Sequence, residues 1–212
     1  MAGVALREVT SLRAIDACAA DLLARLHAHD RSTYDHCRAV GMWCGLLAKT
    51  LKLEPADIEV ATLAGTLHDV GKMLTPTEIL SKSADLSIDE VEVVRRHPAD
   101  GGALLAAIPE LRSIAPIVRA HHENVDGLGY PGGLAGKRVP YASRIVAVAD
   151  SFHAMIASRP DRRAVPLAAA LDLLRDGRGA QWDAGIVDAM IALVAEKTQR
   201  PNRAGDRSRA SF

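Results

Sequence analysis

Aromatic side chains are scarce in this 212-residue chain, at 3% of the total. Sheet sandwiches lean on aromatic and β-branched residues. A core short of rings points instead to helices packed through Ala, Leu, Val and Ile. An excess of either charge is also missing: 26 Lys+Arg balance 26 Asp+Glu. No global basic field exists, so no nucleic-acid polymer is expected as a partner, and any anion site must be local. A charged leader followed by an apolar run is absent, and no stretch approaches the ~20 apolar residues of a bilayer span. Neither export nor a membrane partner is therefore expected, and the default compartment is the cytoplasm. The three cysteines, Cys18, Cys37 and Cys44, have no paired metal-type spacing. Cys37 and Cys44 lie two helical turns apart on one face, as buried, reduced, apolar-like thiols would. No Ser/His/Asp or reactive-cysteine arrangement, internal repeat or competing strand pattern is apparent.

Apolar residues make up 49% of the chain, enough at this length for one well-filled core. The periodicity predicts an all-α, single-domain helical bundle with helices over 8–28, 32–52, 54–67, 88–97, 100–107, 110–120, 140–158, 164–175 and 183–197. Residues 1–29 are expected as an N-terminal helix packed on the domain, 30–197 as the domain, and 198–212 as a disordered tail with four arginines. Asp30 or Ser32 is the expected cap of the second helix. Thr75-Pro76-Thr77-Glu78 and Ser87-Ile88-Asp89-Glu90 both have the capping-box pattern. His27 and His29 are expected at the surface or as capping groups.

The chemistry gathers around His121-His122-Glu123-Asn124-Val125-Asp126-Gly127-Leu128-Gly129-Tyr130-Pro131. Paired imidazoles beside carboxylates suit a cation, and the glycines allow a tight turn close to whatever is bound. Four other segments add His36, His68-Asp69, His97 and Asp150, several of them at predicted helix ends. Each alone has an ordinary explanation as a core or capping residue. Together they supply five imidazoles and two carboxylates from a chain with eight histidines. Seven N/O donors are too many for one tetrahedral ion and suit two ions sharing a carboxylate. Such a pair lowers the pKa of a shared water and stabilises charge developing on a phosphoryl oxygen, with no protein nucleophile needed. Lys72, three residues after Asp69, can add a positive charge for that phosphate or pair structurally with Asp69.

In the order His36, His68-Asp69, Asp150 the chain resembles the HD phosphohydrolase superfamily. HDVGK (68 to 72), RHPADG (96 to 101), HHENVDGLGYPGGL (121 to 134) and VPYASRIVAVADSFHAMIASRPDR (139 to 162) resemble its HD-GYP branch. The resemblance covers about residues 30 to 196. It implies an all-helical HD-superfamily bundle, a two- or three-metal site of iron or manganese, and hydrolysis of cyclic di-GMP to pGpG, GMP or both. By similarity one ion takes His36, His68, Asp69 and Asp150, and the other takes Asp69 as bridge with His97, His121 and His122. Lys72 is implied at the scissile phosphate, so that Asp69 and Lys72 form the catalytic pair. Arg159 and Arg162 are implied as nucleotide contacts. Glu123 and Asp126 are expected to orient the imidazoles and the loop, and Gly129, Tyr130 and Pro131 to shape that loop. The loop is also implied as a docking surface for diguanylate cyclase (GGDEF) domains. A homodimer is left open.

Ser32 stands where trimetal members carry glutamate, so two ions are expected rather than three. His153 and Asp161 stand where the family usually has Asp and Tyr. His153 is placed to act as an extra ligand or as a hydrogen-bonding neighbour. Two alternatives stay open: an HD hydrolase of another nucleotide phosphate ester, and a metal-bound signalling module with weak or no turnover.

Overall fold

The computed structural model describes residues 2–158 and 163–199, with the backbone alone described over 2–12. Ten α-helices and three 3₁₀ turns make up its regular structure, and no strand is present among the described residues. In chain order the helices are α1 (Ala2–His29), α2 (Arg31–Thr50), α3 (Pro55–Leu67), α4 (Thr77–Leu80), α5 (Ile88–Arg95), α6 (His97–Ala106), α7 (Ala115–Arg119), α8 (Tyr141–Ile156), α9 (Leu167–Asp176) and α10 (Ala184–Gln199). The 3₁₀ turns are Val70–Leu74, Pro109–Leu111 and Gly136–Arg138. No described helix is long and apolar enough to cross a membrane.

Helices α2, α3 and α8 pack on one another at the centre, with α1, α6, α7 and α10 around them. The central faces bury Val40, Cys44, Leu47, Ala61, Ala64, Leu67, Ile145, Val148 and Phe152 in one continuous core. As expected, Cys37 and Cys44 are buried free thiols; Cys18 is half-buried and also unpaired. Burial holds the Cys44 thiol far above its ordinary pKa, with Asp150 adding to the effect. Helix α1 contributes Ala19, Leu22 and Leu26 to the same core.

The start signals decide several boundaries. Asp30 caps α2 by accepting from the amides of Ser32 and Thr33. Pro55 occupies the first turn of α3, where its missing N–H is no loss. The Ser87–Glu90 capping box forms as expected. The Thr75–Glu78 box does not: Pro76 takes the cap position, offers no side-chain acceptor, and leads only into the single turn α4.

The expected helix over 110–120 is broken into a 3₁₀ turn and α7. A continuous helix would bury Pro116 in its interior without an N–H to donate, whereas here Pro116 lies in the first turn of α7. His97 opens α6 rather than closing α5, with Pro98 beside it in the first turn. His29 is neither a cap nor a free surface group. It is half-buried, and its Nε2 donates to the carbonyl of Thr75 at 3.0 Å, tying the end of α1 to the segment after the first 3₁₀ turn. Helix α10 runs to Gln199, two residues into the expected tail; residues 200–212 lie outside the described residues.

Candidate metal centre

The ends of α3, α6 and α7 meet against the sides of α2 and α8, and each delivers one or two polar groups. His68 and Asp69 follow the last turn of α3, His97 starts α6, His121-His122 follow α7, His36 lies in the second turn of α2, and Asp150 sits on α8. All seven residues come together. Two groups stand out: His36, His68 and Asp69 in one, and His97, His121 and His122 in the other, the potential ligand atoms of each lying within 4.8 Å of one another.

Asp69 joins the groups. Its Oδ1 is 3.0 Å from His97 Nε2, while its Oδ2 is 3.3 Å from His68 Nε2 and 3.9 Å from His36 Nε2. Asp150 lies against the first group, with Oδ1 2.9 Å from His36 Nε2 and 3.8 Å from His68 Nε2. Lys72 Nζ lies 2.7 Å from Asp69 Oδ2 at the edge of the cluster.

Three imidazoles are held by one local device. The Nδ1 of His68, His97 and His121 each donates to the carbonyl three residues earlier, of Gly65, Val94 and Val118, at 2.8, 2.7 and 2.6 Å. A carbonyl can only accept, so Nδ1 carries a proton in each ring and Nε2 is the nitrogen that faces inward. His97 Nε2 and His121 Nε2 then face each other at 3.2 Å, an arrangement that calls for a cation or a shared proton between them. His68 Nε2 is buried with no hydrogen-bond partner. These features fit a divalent-metal site made of nitrogen and carboxylate donors.

The electrostatics agree. Burial works to raise the Asp69 pKa, yet its neighbours Lys72, His68 and His97 together outweigh it and hold the carboxyl well below its usual range. Asp150 is likewise held well down against burial, chiefly by its hydrogen bond with His36. Burial opposes charge on His68 too, but the Asp69 carboxylate wins and raises its pKa well above the ordinary histidine value. His121 and His122 go the other way: burial, helped by neighbouring imidazoles, lowers both, His122 to about 4. The pocket thus keeps two carboxylates ionised and two imidazoles neutral near pH 7, as ligands require, while His68 would release its extra proton on taking an ion.

His153 lies one helical turn after Asp150, with its Nδ1 2.9 Å from His36 Nδ1 on the side of that ring away from Asp150. Glu123 is buried, and both of its oxygens accept loop amides, from Gly132 and Leu134. Its orienting effect therefore falls on the loop. Asp126 accepts from the amide of Leu128 at 2.9 Å, a turn within the same loop. Gly129 lets the chain fold back: a Cβ there would lie 2.4 Å from the His122 carbonyl, which the Tyr130 amide reaches at 3.0 Å. The Tyr130–Pro131 peptide is cis, and the Tyr130 ring stacks on His122 at 4.9 Å. Burial raises the Tyr130 hydroxyl to about pKa 12, so it stays protonated. Arg159 and Arg162 lie outside the described residues.

Beside His122 opens a cavity of about 370 Å³ lined in part by Arg95 and Gln181. Neither residue drew attention in the sequence. Arg95 is accounted for by the helix C-terminus it occupies, and Gln181 belongs to a turn far along the chain with no motif of its own.

A sequence model of the HD domain family matches residues 17–186. This chain is an HD-domain protein of the HD-GYP branch. It is 40% identical over 157 residues to the cyclic di-GMP phosphodiesterase response regulator RpfG of Xanthomonas campestris, covering 73% of this chain and 42% of that protein. A cyclic di-GMP phosphodiesterase of Thermotoga maritima is 34% identical over 179 residues, covering 84% and 49%. The 3'3'-cGAMP-specific phosphodiesterase 1 of Vibrio cholerae is 35% identical over 148 residues, covering 70% and 34%. The HD-GYP chain thus spans less than half the length of these curated relatives. Among solved structures, the HDGYP protein Bd1817 of Bdellovibrio bacteriovorus superposes with a TM-score of 0.64 at 21% identity, covering 76% of this chain and 52% of that one. The phosphodiesterase PgpH HD domain of L. monocytogenes gives 0.60 at 18%, covering 84% and 98%. At these identities the likeness establishes the HD fold.

Proposed function

We propose that this HD-GYP chain is a metal-dependent phosphodiesterase that hydrolyses cyclic di-GMP to pGpG, GMP or both. The observation that carries the reading is Asp69, whose two oxygens turn to two separate histidine groups. His36, His68 and Asp150 would hold one ion with Asp69, and His97, His121 and His122 the other, iron and manganese being the ions that the family resemblance implies. Bound there, two divalent ions supply Lewis acidity and lower the pKa of a water shared between them.

The chain's own residues do the rest. Lys72 keeps its proton, because Asp69 more than offsets the effect of burial, and so presents a fixed cation to a phosphate oxygen. His36 is oriented between Asp150 and His153, with His153 acting as its hydrogen-bonding neighbour. Glu123 anchors the loop that places Tyr130 against His122. Arg159 and Arg162 are proposed as further nucleotide contacts. Leu128, at 82% exposure on the loop, suits the reading that this loop docks a diguanylate cyclase domain. The free thiols accord with a cytoplasmic setting.

The test is turnover of cyclic di-GMP by anaerobically purified protein with iron and manganese measured on the same sample. The reading expects linear product and two ions per chain. Asp69→Ala should remove both ions and abolish turnover; a variant that kept its ions and its rate would refute the bridging role. Relatives named as 3'3'-cGAMP-specific phosphodiesterases favour a second reading, in which a mixed cyclic dinucleotide is the better substrate. Direct competition between the two dinucleotides separates them.

A further inference from the structure

The cavity beside His122 has no part in the water chemistry above, yet it opens directly onto the histidine group. We propose that it is the nucleotide-recognition subsite of this chain, with Arg95 binding an anionic oxygen of the substrate and Gln181 pairing with a nucleobase edge. The inference rests on the cyclic-dinucleotide reading and names residues outside every motif that led to it.

Size and position come first. The cavity of about 370 Å³ is lined by Arg95, His122, Asn124, Gly129, Tyr130 and Gln181, with Leu128 at its rim. It lies near the bottom of the ~300–1,000 Å³ range of ligand pockets. One nucleotide moiety of a cyclic dinucleotide fits that space, with the scissile phosphate left at the metal centre.

Arg95 has a distinctive setting. The Tyr130 ring stacks on His122, and the Arg95 guanidinium lies 4.5 Å over the centre of the Tyr130 ring. Guanidinium, phenol and imidazole thus form a stack that leads from the cavity to the histidine group. A cation at the end of α5 is ordinary for dipole reasons. The adjacent Arg96 meets that need, and it pairs with Asp100 at 3.9 Å. Arg95 has no ion pair among the described residues, so its planar donors remain free for an anion. A permanently charged fork is the side chain suited to bidentate phosphate recognition.

Gln181 reaches the cavity because two loops are joined. The amide of Val125 donates to the Gln181 carbonyl at 3.3 Å, and the amide of Asp126 to the Ala180 carbonyl at 2.9 Å. The turn between α9 and α10 is thereby fixed against the loop that follows the histidine pair. A carboxamide offers a donor and an acceptor side by side, the pattern that base edges present, and Asn124 supplies a second one.

The experiment compares the 212-residue wild type, Arg95→Ala, Arg95→Lys and Gln181→Leu, with their melting temperatures measured first. Calorimetry on the metal-free proteins gives Kd for cyclic di-GMP without turnover. Manganese-loaded proteins then give KM and kcat for cyclic di-GMP, cyclic di-AMP and bis(p-nitrophenyl) phosphate, a small diester with no base.

Arg95→Ala should weaken Kd and raise KM for both dinucleotides by about tenfold, with Arg95→Lys in between, the effect of losing one charge-assisted contact. Turnover of the small diester should stay within about twofold of wild type in every variant. Gln181→Leu should shift the ratio of KM values for the guanine and adenine dinucleotides by about threefold or more. The subsite is overturned if Arg95→Ala leaves cyclic di-GMP unaffected, or slows the small diester equally. Its base-reading part is overturned if the Gln181→Leu ratio is unchanged. If wild type cleaves the small diester but neither binds nor cleaves a cyclic dinucleotide, the functional reading falls and the subsite with it.

Discussion

Gly71 provides a sensitive test of how the site is held. It lies in the 3₁₀ turn just after Asp69 and abuts the first turn of α6. A Cβ at this position would sit 2.0 Å from the His97 carbonyl oxygen and 2.5 Å from the Gly101 amide nitrogen, where ordinary contact begins at 3.4 Å. Both neighbours are backbone, so no side chain can swing aside. Gly71→Ala must therefore push the turn and α6 apart by about an ångström or more. Overpacking of this kind costs about 1–3 kcal/mol, and a clash with backbone on two sides belongs at the upper end. For a domain of this size about 3 kcal/mol corresponds to roughly 6–12 °C in Tm.

The same displacement separates His97 from Asp69, now 3.0 Å apart, across the join between the two histidine groups. Metal–ligand distances tolerate only about 0.2 Å, so manganese affinity should fall along with stability. Gly185→Ala is the control, because its nearest atom is a side-chain oxygen at 3.5 Å and it lies within α10. There alanine should be neutral or stabilising by up to about 1 kcal/mol. Thermal melts and manganese titrations of both variants decide the matter. If Gly71→Ala melted with the wild type and kept its manganese affinity, the tight docking of α6 on the turn would be wrong.

Three further outcomes are expected. The metal-free protein should be most stable near pH 6–7. Below the ordinary histidine pKa of about 6.5 the unfolded chain takes up protons that buried His121 and His122 refuse, so stability falls as pH drops toward about 4. Above about 6.5 the folded chain retains the His68 proton that the unfolded chain releases, so stability falls as pH rises toward the raised pKa. Urea denaturation from pH 4.5 to 9 tests this, and a monotonic profile would contradict it. Manganese at about one hundred times its Kd should add about 2.7 kcal/mol and raise Tm by roughly 5–11 °C, reversibly with chelator; an unchanged melt would argue against a site formed in the folded chain. His153→Ala should weaken the ion held by His36 by about ten- to a hundredfold, whereas His153→Asp retains an acceptor and should restore binding. Equal metal content in all three proteins would remove His153 from the site.

The sequence alone determined a great deal here. Helical periodicity in an aromatic-poor chain is local information, and so are the caps at Asp30, Pro55 and Ser87; each acts within a turn or two of itself. The clustered residues were also legible, because five imidazoles and two carboxylates, several of them at helix ends, are a chemical pattern that survives without coordinates. Local signals misled where a neighbour or a proline had the stronger effect. The Thr75 box lost to Pro76, the helix through 110–120 broke to accommodate Pro116, and His29 found a partner in Thr75.

Only the tertiary structure decided how Asp69 divides its oxygens between two histidine groups and which nitrogen of each ring faces inward. The same holds for Gln181, which a loop-to-loop clamp brings beside a histidine far from it in sequence. Such directions depend on how α2, α3, α6, α7 and α8 pack. Spacing along a chain names the donors, but the angles at which helices cross set where their lone pairs point.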